Sequence, residues 1–207
     1  KIGSLENSSA KKIIDASGLI ISPGFIDIHT HSDISVINDP LNESKIFQGV
    51  TTEVTGNCSY SPFPSGNDDP NTLKEELWEK RGNADDPNTI WQWTTFDEYA
   101  NYIEEKGTSL NIAPQVGYAA LQIASGSVEN RRATVDELEK MKKLANESIE
   151  QGAFSLSTGL SVPPSAFAST EEIIEICKSI SHYENVFYVT HAREGAGRHI
   201  SKIEEAV

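Results

Sequence analysis

Two cysteines in 207 residues, Cys58 and Cys177 in unlike surroundings, leave no disulfide framework to build. No apolar run is long enough to span a bilayer, and no signal-peptide pattern opens the chain. Basic residues are scarce: Lys and Arg number 17 against 31 Asp and Glu, a net charge of −14. That excess argues against nucleic acid or an anionic membrane surface as partner. The acidic residues are spread rather than run in blocks, as on a solvated surface. A cytoplasmic location is the default that follows. The first residue is Lys1 rather than Met, so residues upstream are expected.

What the chain does have is a stretch that organises the rest: Pro23-Gly24-Phe25-Ile26-Asp27-Ile28-His29-Thr30-His31-Ser32-Asp33. Phe25, Ile26 and Ile28 are strand formers, and the segment predicts a buried strand ending in two histidines. Side chains alternate across a strand, so His29 and His31 point to the same side. Neutral imidazole is a common metal donor, and a pair on one rigid strand end is ready to bind.

Residues 1–22 hold short β runs, Lys12-Ile13-Ile14 and Leu19-Ile20-Ile21, split by polar turns. They predict the end of a small β domain. A short helix over 42–48 precedes the β-branched strand Val50-Thr51-Thr52-Glu53-Val54-Thr55, which runs into Gly56-Asn57-Cys58-Ser59. Residues 62–93 form an insertion rich in Asn, Asp, Pro and Gly, with one helix over 73–80. Long connections often serve as lids or specificity loops; Trp91 and Trp93 could line a pocket or form core.

Three capping boxes open helices: Thr95 to Glu98, Thr134 to Glu137 and Ser169 to Glu172. The first helix buries Tyr99, Tyr102 and Ile103 and closes at Gly107. The second carries Leu138, Met141, Leu144, Ala145 and Ile149 on one face and ends at Gly152. The third turns Ile173, Ile174, Cys177 and Ile180 inward. Strands are predicted at 110–117, 153–157 and 186–190, the last ending in His191-Ala192-Arg193, and a polar helical stretch closes the chain over 197–207.

Strands alternate with helix-bearing connections, which implies parallel strands. Polar residues gather at the C-terminal strand ends: His29, His31, Cys58, Gly117, Thr158 and His191. That is how a (β/α)₈ barrel builds its site. Five strand units fall short of eight, so the expectation is an incomplete TIM-like barrel over 23–207 preceded by the remnant of a β domain.

Cys58 can be a small buried hydrophobe or a metal ligand; its polar neighbours and strand-end position favour ligand. His191 ends an apolar strand and is likewise a candidate. His182 and His199 read as surface residues, and Cys177 as core. A mixed His and Cys set selects zinc over magnesium or calcium. Three protein ligands plus water make a catalytic site, with the water acidified by the metal. Asp33 and Glu194 are the nearby carboxylates for proton transfer.

The His-x-His stretch resembles the first-strand motif of the metal-dependent amidohydrolases. Gly49-Val50-Thr51-Thr52, Gly56-Asn57-Cys58, Ala113-Pro114-Gln115-Val116-Gly117, Gly152 to Leu160 with Pro163-Pro164, and Val189-Thr190-His191-Ala192-Arg193 resemble the N-acyl-D-amino-acid deacylase (D-aminoacylase) branch. The resemblance implies a β-sandwich beside a TIM barrel, and hydrolysis of an N-acyl-D-amino acid to a D-amino acid and a carboxylate. It implies a tight zinc held by Cys58, His191 and a further histidine, with His29 and His31 at a second, weaker metal position. Cys58 takes the bridging role. The further histidine and the catalytic aspartate would lie beyond Val207. Ser157 and Thr158, in the Ser-Thr-Gly-Leu motif, are candidate substrate contacts. Two positions depart from the pattern: Tyr118 follows Gly117 where members carry His, and Val162 stands where a Tyr often precedes Pro163-Pro164. Both would lie near the pocket.

The implied partner is a small N-acylated amino acid. A rival is a cyclic amidohydrolase of the dihydroorotase or hydantoinase kind. Those carry a lysine at the fourth strand end, where this chain has Phe154-Ser155-Leu156-Ser157-Thr158. A different class of answer is a non-catalytic fragment of an amidohydrolase.

Overall fold

A computed structural model describes residues 3, 8–66, 69–79, 89–193 and 199–207. Six strands form two parallel three-stranded sheets. The first joins β1 (Phe25–Asp27), β2 (Val50–Thr55) and β3 (Asn111–Pro114) in that order; the second joins β4 (Val116–Gly117), β5 (Ser155–Gly159) and β6 (Phe187–His191). β3 and β4 are one run of chain interrupted at Gln115. The break has a chemical cause. Pro114 pairs with Thr55 but has no N–H to donate. The next residue, Gln115, donates to the Thr55 carbonyl at 3.0 Å, while the Pro114 carbonyl accepts from Phe154 N–H at 2.8 Å. The run therefore passes its pairing from β2 to β5, and the two sheets meet there.

All five predicted strand units are present. The first differs from expectation in its surroundings. Phe25, Ile26 and Ile28 are exposed, because β1 is an edge strand with β2 as its one partner among the described residues. The β runs of residues 8–22 form no strand there either, and Ile13, Ile14, Leu19, Ile20 and Ile21 are exposed. A strand needs a partner for its N–H and C=O groups, and among the described residues none pairs with this segment.

The helices follow their caps. α1 (Ser35–Asn38) and α2 (Glu43–Ile46) are single turns; α3 (Pro70–Leu73) runs into a wider π turn at Lys74–Trp78. α4 (Phe96–Lys106), α6 (Val135–Gln151) and α7 (Thr170–Ile180) each carry both halves of the predicted capping box. α4 and α6 stop at Gly107 and Gly152 as the sequence indicates. In α7 the inward face is Ile173, Ile176 and Ile180; Ile174 is exposed instead, and Cys177 is half-buried against the core. α8 (His199–Ala206) closes the chain.

α5 (Tyr118–Ser125) has no counterpart among the predicted helices. Its residues 118–124 are all buried, so no polar face alternates with an apolar one and the helical period is invisible in the sequence. The described part of the 62–93 insertion contributes to the core. Leu73, Leu77, Trp78, Trp91 and Trp93 are buried, and Trp93 donates through Nε1 to the Pro62 carbonyl at 2.9 Å. Its second Asn/Asp/Pro/Gly cluster, 82–87, lies outside the described residues. Trp91, Trp93, Tyr99, Phe63 and Phe96 form one aromatic stack between the insertion and α4.

Candidate metal centre

The C-terminal ends of β1, β2 and β6 converge. Past the end of β1 the chain bends at His29 and reaches Thr30, whose N–H and hydroxyl both donate to the Val54 carbonyl, at 3.2 and 3.1 Å. His29 and His31 flank that contact, with ring centroids 5.5 Å apart. β2 runs into the tight turn bearing Cys58. The donor atoms of His29, His31 and Cys58 all lie within 4.8 Å of one another. Cys58 Sγ is 3.4 Å from His29 Nε2 and 3.6 Å from His191 Nδ1 at the end of β6. All four candidate ligands are thus brought together, with the thiol between the β1 histidines and His191.

The donor set fits a zinc ion. Zn–S near ~2.3 Å and Zn–N near ~2.05 Å at tetrahedral angles separate sulfur and nitrogen by roughly 3.5 Å, which is the spacing that the thiol keeps to both histidines. The three histidines are exposed and Cys58 is half-buried. His31 keeps surface exposure, but partial desolvation of its ring, with the neighbouring His29 and His191, holds its imidazolium below the ordinary pKa and favours the neutral, ligating form. Burial pushes the Cys58 thiol up.

Around the donors the polar interior is organised by neutral side chains. Asn57 Nδ2 donates to the carbonyls of Val54 (2.9 Å) and Thr30 (3.3 Å), and its Oδ1 accepts from Gln115 Nε2 at 2.9 Å. Gln115 Oε1 accepts in turn from Ser155 Oγ at 2.5 Å. Sequence reasoning passed over Gln115 and Ser155, because uncharged polar residues on strands carry no spacing signal. Ser157 and Thr158, the candidate substrate contacts, are fully buried. Ser157 Oγ donates to the Gly56 carbonyl and accepts from Ser59 N–H; Thr158 Oγ1 bonds Tyr188 and Thr190 at 2.9 and 2.7 Å. Both hydroxyls are spent within the protein.

Asp33 is wholly buried and neither carboxylate oxygen makes a hydrogen bond. Burial first, with Glu53 nearby, pushes its pKa up to about 7. The nearest donors, Asp33's own N–H, the Gly56 N–H and the Thr55 hydroxyl, none in full hydrogen-bond geometry, pull the other way but do not offset the burial. Glu194 lies outside the described residues, as does the side chain of His199. His182 is exposed, as predicted. Tyr118 is core rather than pocket: it is fully buried at the start of α5, with Glu172, Arg193 and Tyr188 as its charged and polar neighbours. Val162 lines an open 350 Å³ cleft with Pro163, Pro164 and Ile123.

Imidazole and thiol donors thus gather at the C-terminal ends of parallel strands, a set able to hold a metal ion. The chain belongs to the amidohydrolase family, whose sequence profile matches residues 12–168. It is 36% identical over 204 residues to a D-aminoacylase of Alcaligenes xylosoxydans xylosoxydans, an alignment covering 99% of this chain and 40% of that protein. A D-aminoacylase crystal structure superposes with a TM-score of 0.83 at 37% identity, over 98% of this chain and 41% of the other. The N-acyl-D-glutamate deacylase of Bordetella bronchiseptica, solved with zinc and a phosphonate mimic of the tetrahedral intermediate, gives 0.78 at 28%, over 92% and 38%. The chain spans about 40% of the length of the curated relatives it matches.

Proposed function

We propose that this chain is the metal-holding part of a zinc-dependent deacylase that hydrolyses the amide bond of N-acyl-D-amino acids, giving a D-amino acid and a carboxylate. Its strands are then a segment of a TIM-like (β/α)₈ barrel. Residues 1–22 belong to a flanking β-sandwich, whose packing would cover the exposed isoleucines of that segment. The protein acts in the cytoplasm on a small N-acylated amino acid. Among the described residues no helix is long and apolar enough to cross a membrane.

The observation that carries this reading is the thiol of Cys58 lying 3.4 Å and 3.6 Å from imidazoles of two other strand ends. Cys58, His29, His31 and His191 would hold the metal, with Cys58 and His191 at the tighter position. When bound, zinc supplies an acidified water and a polarised carbonyl. The chain's own residues set the stage for it. His29 and His31 flank Thr30, which is anchored to the Val54 carbonyl, and the surroundings of His31 lower its imidazolium pKa. Asp33 is too deeply buried to touch a substrate, so the proton carrier is sought elsewhere. The absence of lysine in β5 favours a linear amide over the cyclic amides of dihydroorotase-like relatives.

The test uses the full-length protein. Zinc content is measured in Cys58→Ala and His191→Ala, both of which should lose most of the tightly bound metal. Released amine is then followed on matched N-acetyl-D- and N-acetyl-L-amino acids. Full zinc in both variants would remove the site assignment, and equal rates on the two enantiomers would refute D-specificity.

A further inference from the structure

Cys58 sits in a turn that its own sequence disfavours. Cys58 and Ser59 both have positive φ, 56° and 73°, one after the other. L-residues with a Cβ rarely adopt that conformation singly, and two in succession need outside support. Neither residue is glycine, so the surrounding structure must supply what the local backbone does not.

The support comes from β5. Ser157 Oγ donates to the Gly56 carbonyl on the near side of the turn and accepts from Ser59 N–H at 3.3 Å on the far side, so one hydroxyl spans Cys58. Ser59 Oγ accepts from Gly159 N–H two residues further along the same strand. A Cβ on Gly159 would overlap the Cys58 carbonyl, so the strand can press against the turn only where the side chain is missing. Ser157 and Ser59 are buried, at 0% and 2% exposure, so water does not replace these bonds.

The same strand sets the other ligand. Gly159 is paired with His191 in the β5–β6 register, and Leu160 N–H donates to the His191 carbonyl at 2.9 Å. β5 therefore holds the Cys58 turn by one edge and His191 by the other, and the 3.6 Å between thiol and imidazole is a distance measured across this strand.

We propose that Ser157 is a positioning residue of the metal centre: it touches neither metal nor substrate, and it fixes the left-handed turn that aims the Cys58 thiol at His191. The proposal rests on the metal-centre reading above. It gives the Ser-Thr-Gly-Leu motif a task in ligand geometry instead of substrate contact. Partners that orient metal ligands are commonly responsible for about 10- to 100-fold in metal affinity.

The experiment is a Co²⁺ titration of the metal-free, full-length protein, read by the thiolate-to-cobalt charge-transfer band, with melting temperature recorded in parallel. Ser157→Ala should bind cobalt about 10- to 100-fold more weakly and give a weakened band. Ser148→Ala is the control. It deletes a buried hydroxyl, bonded to the Leu144 carbonyl within α6 and remote from the metal ligands, and should leave cobalt affinity unchanged. Should Ser157→Ala not fold, Ser59→Ala, which removes the Gly159 bond, carries the same expectation. Wild-type cobalt affinity in the serine variant, with the band abolished in Cys58→Ser, overturns the positioning role alone. A band that survives in Cys58→Ser overturns the metal reading and the proposal with it.

Discussion

Asp33 gives the most demanding test of the interior. The perturbation is Asp33→Asn, which keeps the shape and removes the ionisable group. Asp33 has no exposed surface and no hydrogen bond to either carboxylate oxygen, so its charged form is penalised chiefly by desolvation and then by Glu53. Its pKa rises from 3.8 to about 7 on folding. A raised carboxylate pKa means that the folded state holds the proton more tightly than the unfolded chain. The resulting stability is complete below the unfolded value and is lost as pH climbs through the folded one. At 1.36 kcal/mol per pH unit the whole effect is about 4 kcal/mol, of which about 3 kcal/mol falls between pH ~5 and pH ~8.

The assay is urea unfolding of metal-free wild type and variant across that range. A cation at His31 would favour the carboxylate and mask the effect, hence the metal-free protein. Other carboxylates titrate equally in both proteins and cancel in the difference. With an m value of about 2 kcal/mol/M, the gap between the two midpoints should change by about 1.5 M, moving in favour of the asparagine variant as pH rises. The Tyr99 hydroxyl, which donates to the Asp33 main-chain carbonyl at 2.6 Å, is retained in both proteins. A gap independent of pH would refute the claim that burial raises the Asp33 carboxyl.

Two further outcomes follow from the same structure. Because burial raises the Cys58 thiol, zinc binding near neutral pH must displace its proton, and affinity should fall about tenfold for each pH unit of acidification. Calorimetry in buffers of different ionisation enthalpy should count about one proton released at Cys58, and none released would contradict thiolate ligation. Trp93→Ala removes a fully buried indole and its bond to Pro62, and should cost about 3–5 kcal/mol in urea unfolding; a loss under about 1 kcal/mol would place the 62–93 insertion outside the core.

Where local chemistry suffices, the chain was legible. The strand Val50–Thr55 is β-branched, and the three capping boxes need only residues three apart. Cys58 and His191 stood out as metal-type donors at strand ends. Elsewhere local pattern failed for physical reasons. α5 is buried on every side and so shows no amphipathic period. The apolar runs of residues 8–22 look like strands, but a strand is defined by its partner, and none is present among the described residues.

Relations across the chain were decided by the fold alone. Cys58 meets His29 at a separation of 29 residues and His191 at 133, and no periodicity encodes such distances. Asn57 ties the Cys58 turn to the Thr30 carbonyl between the two histidines, and Ser157 braces that turn from β5, 101 residues from the Gly56 carbonyl it bonds. The sequence by itself determined which residues can ligate and where the capped helices and the β-branched strand form, since donor chemistry, caps and backbone period are properties of residues and near neighbours. Only the tertiary structure decided that the donors meet around one thiol, because that depends on strand order and register, which are set by packing across the whole sheet.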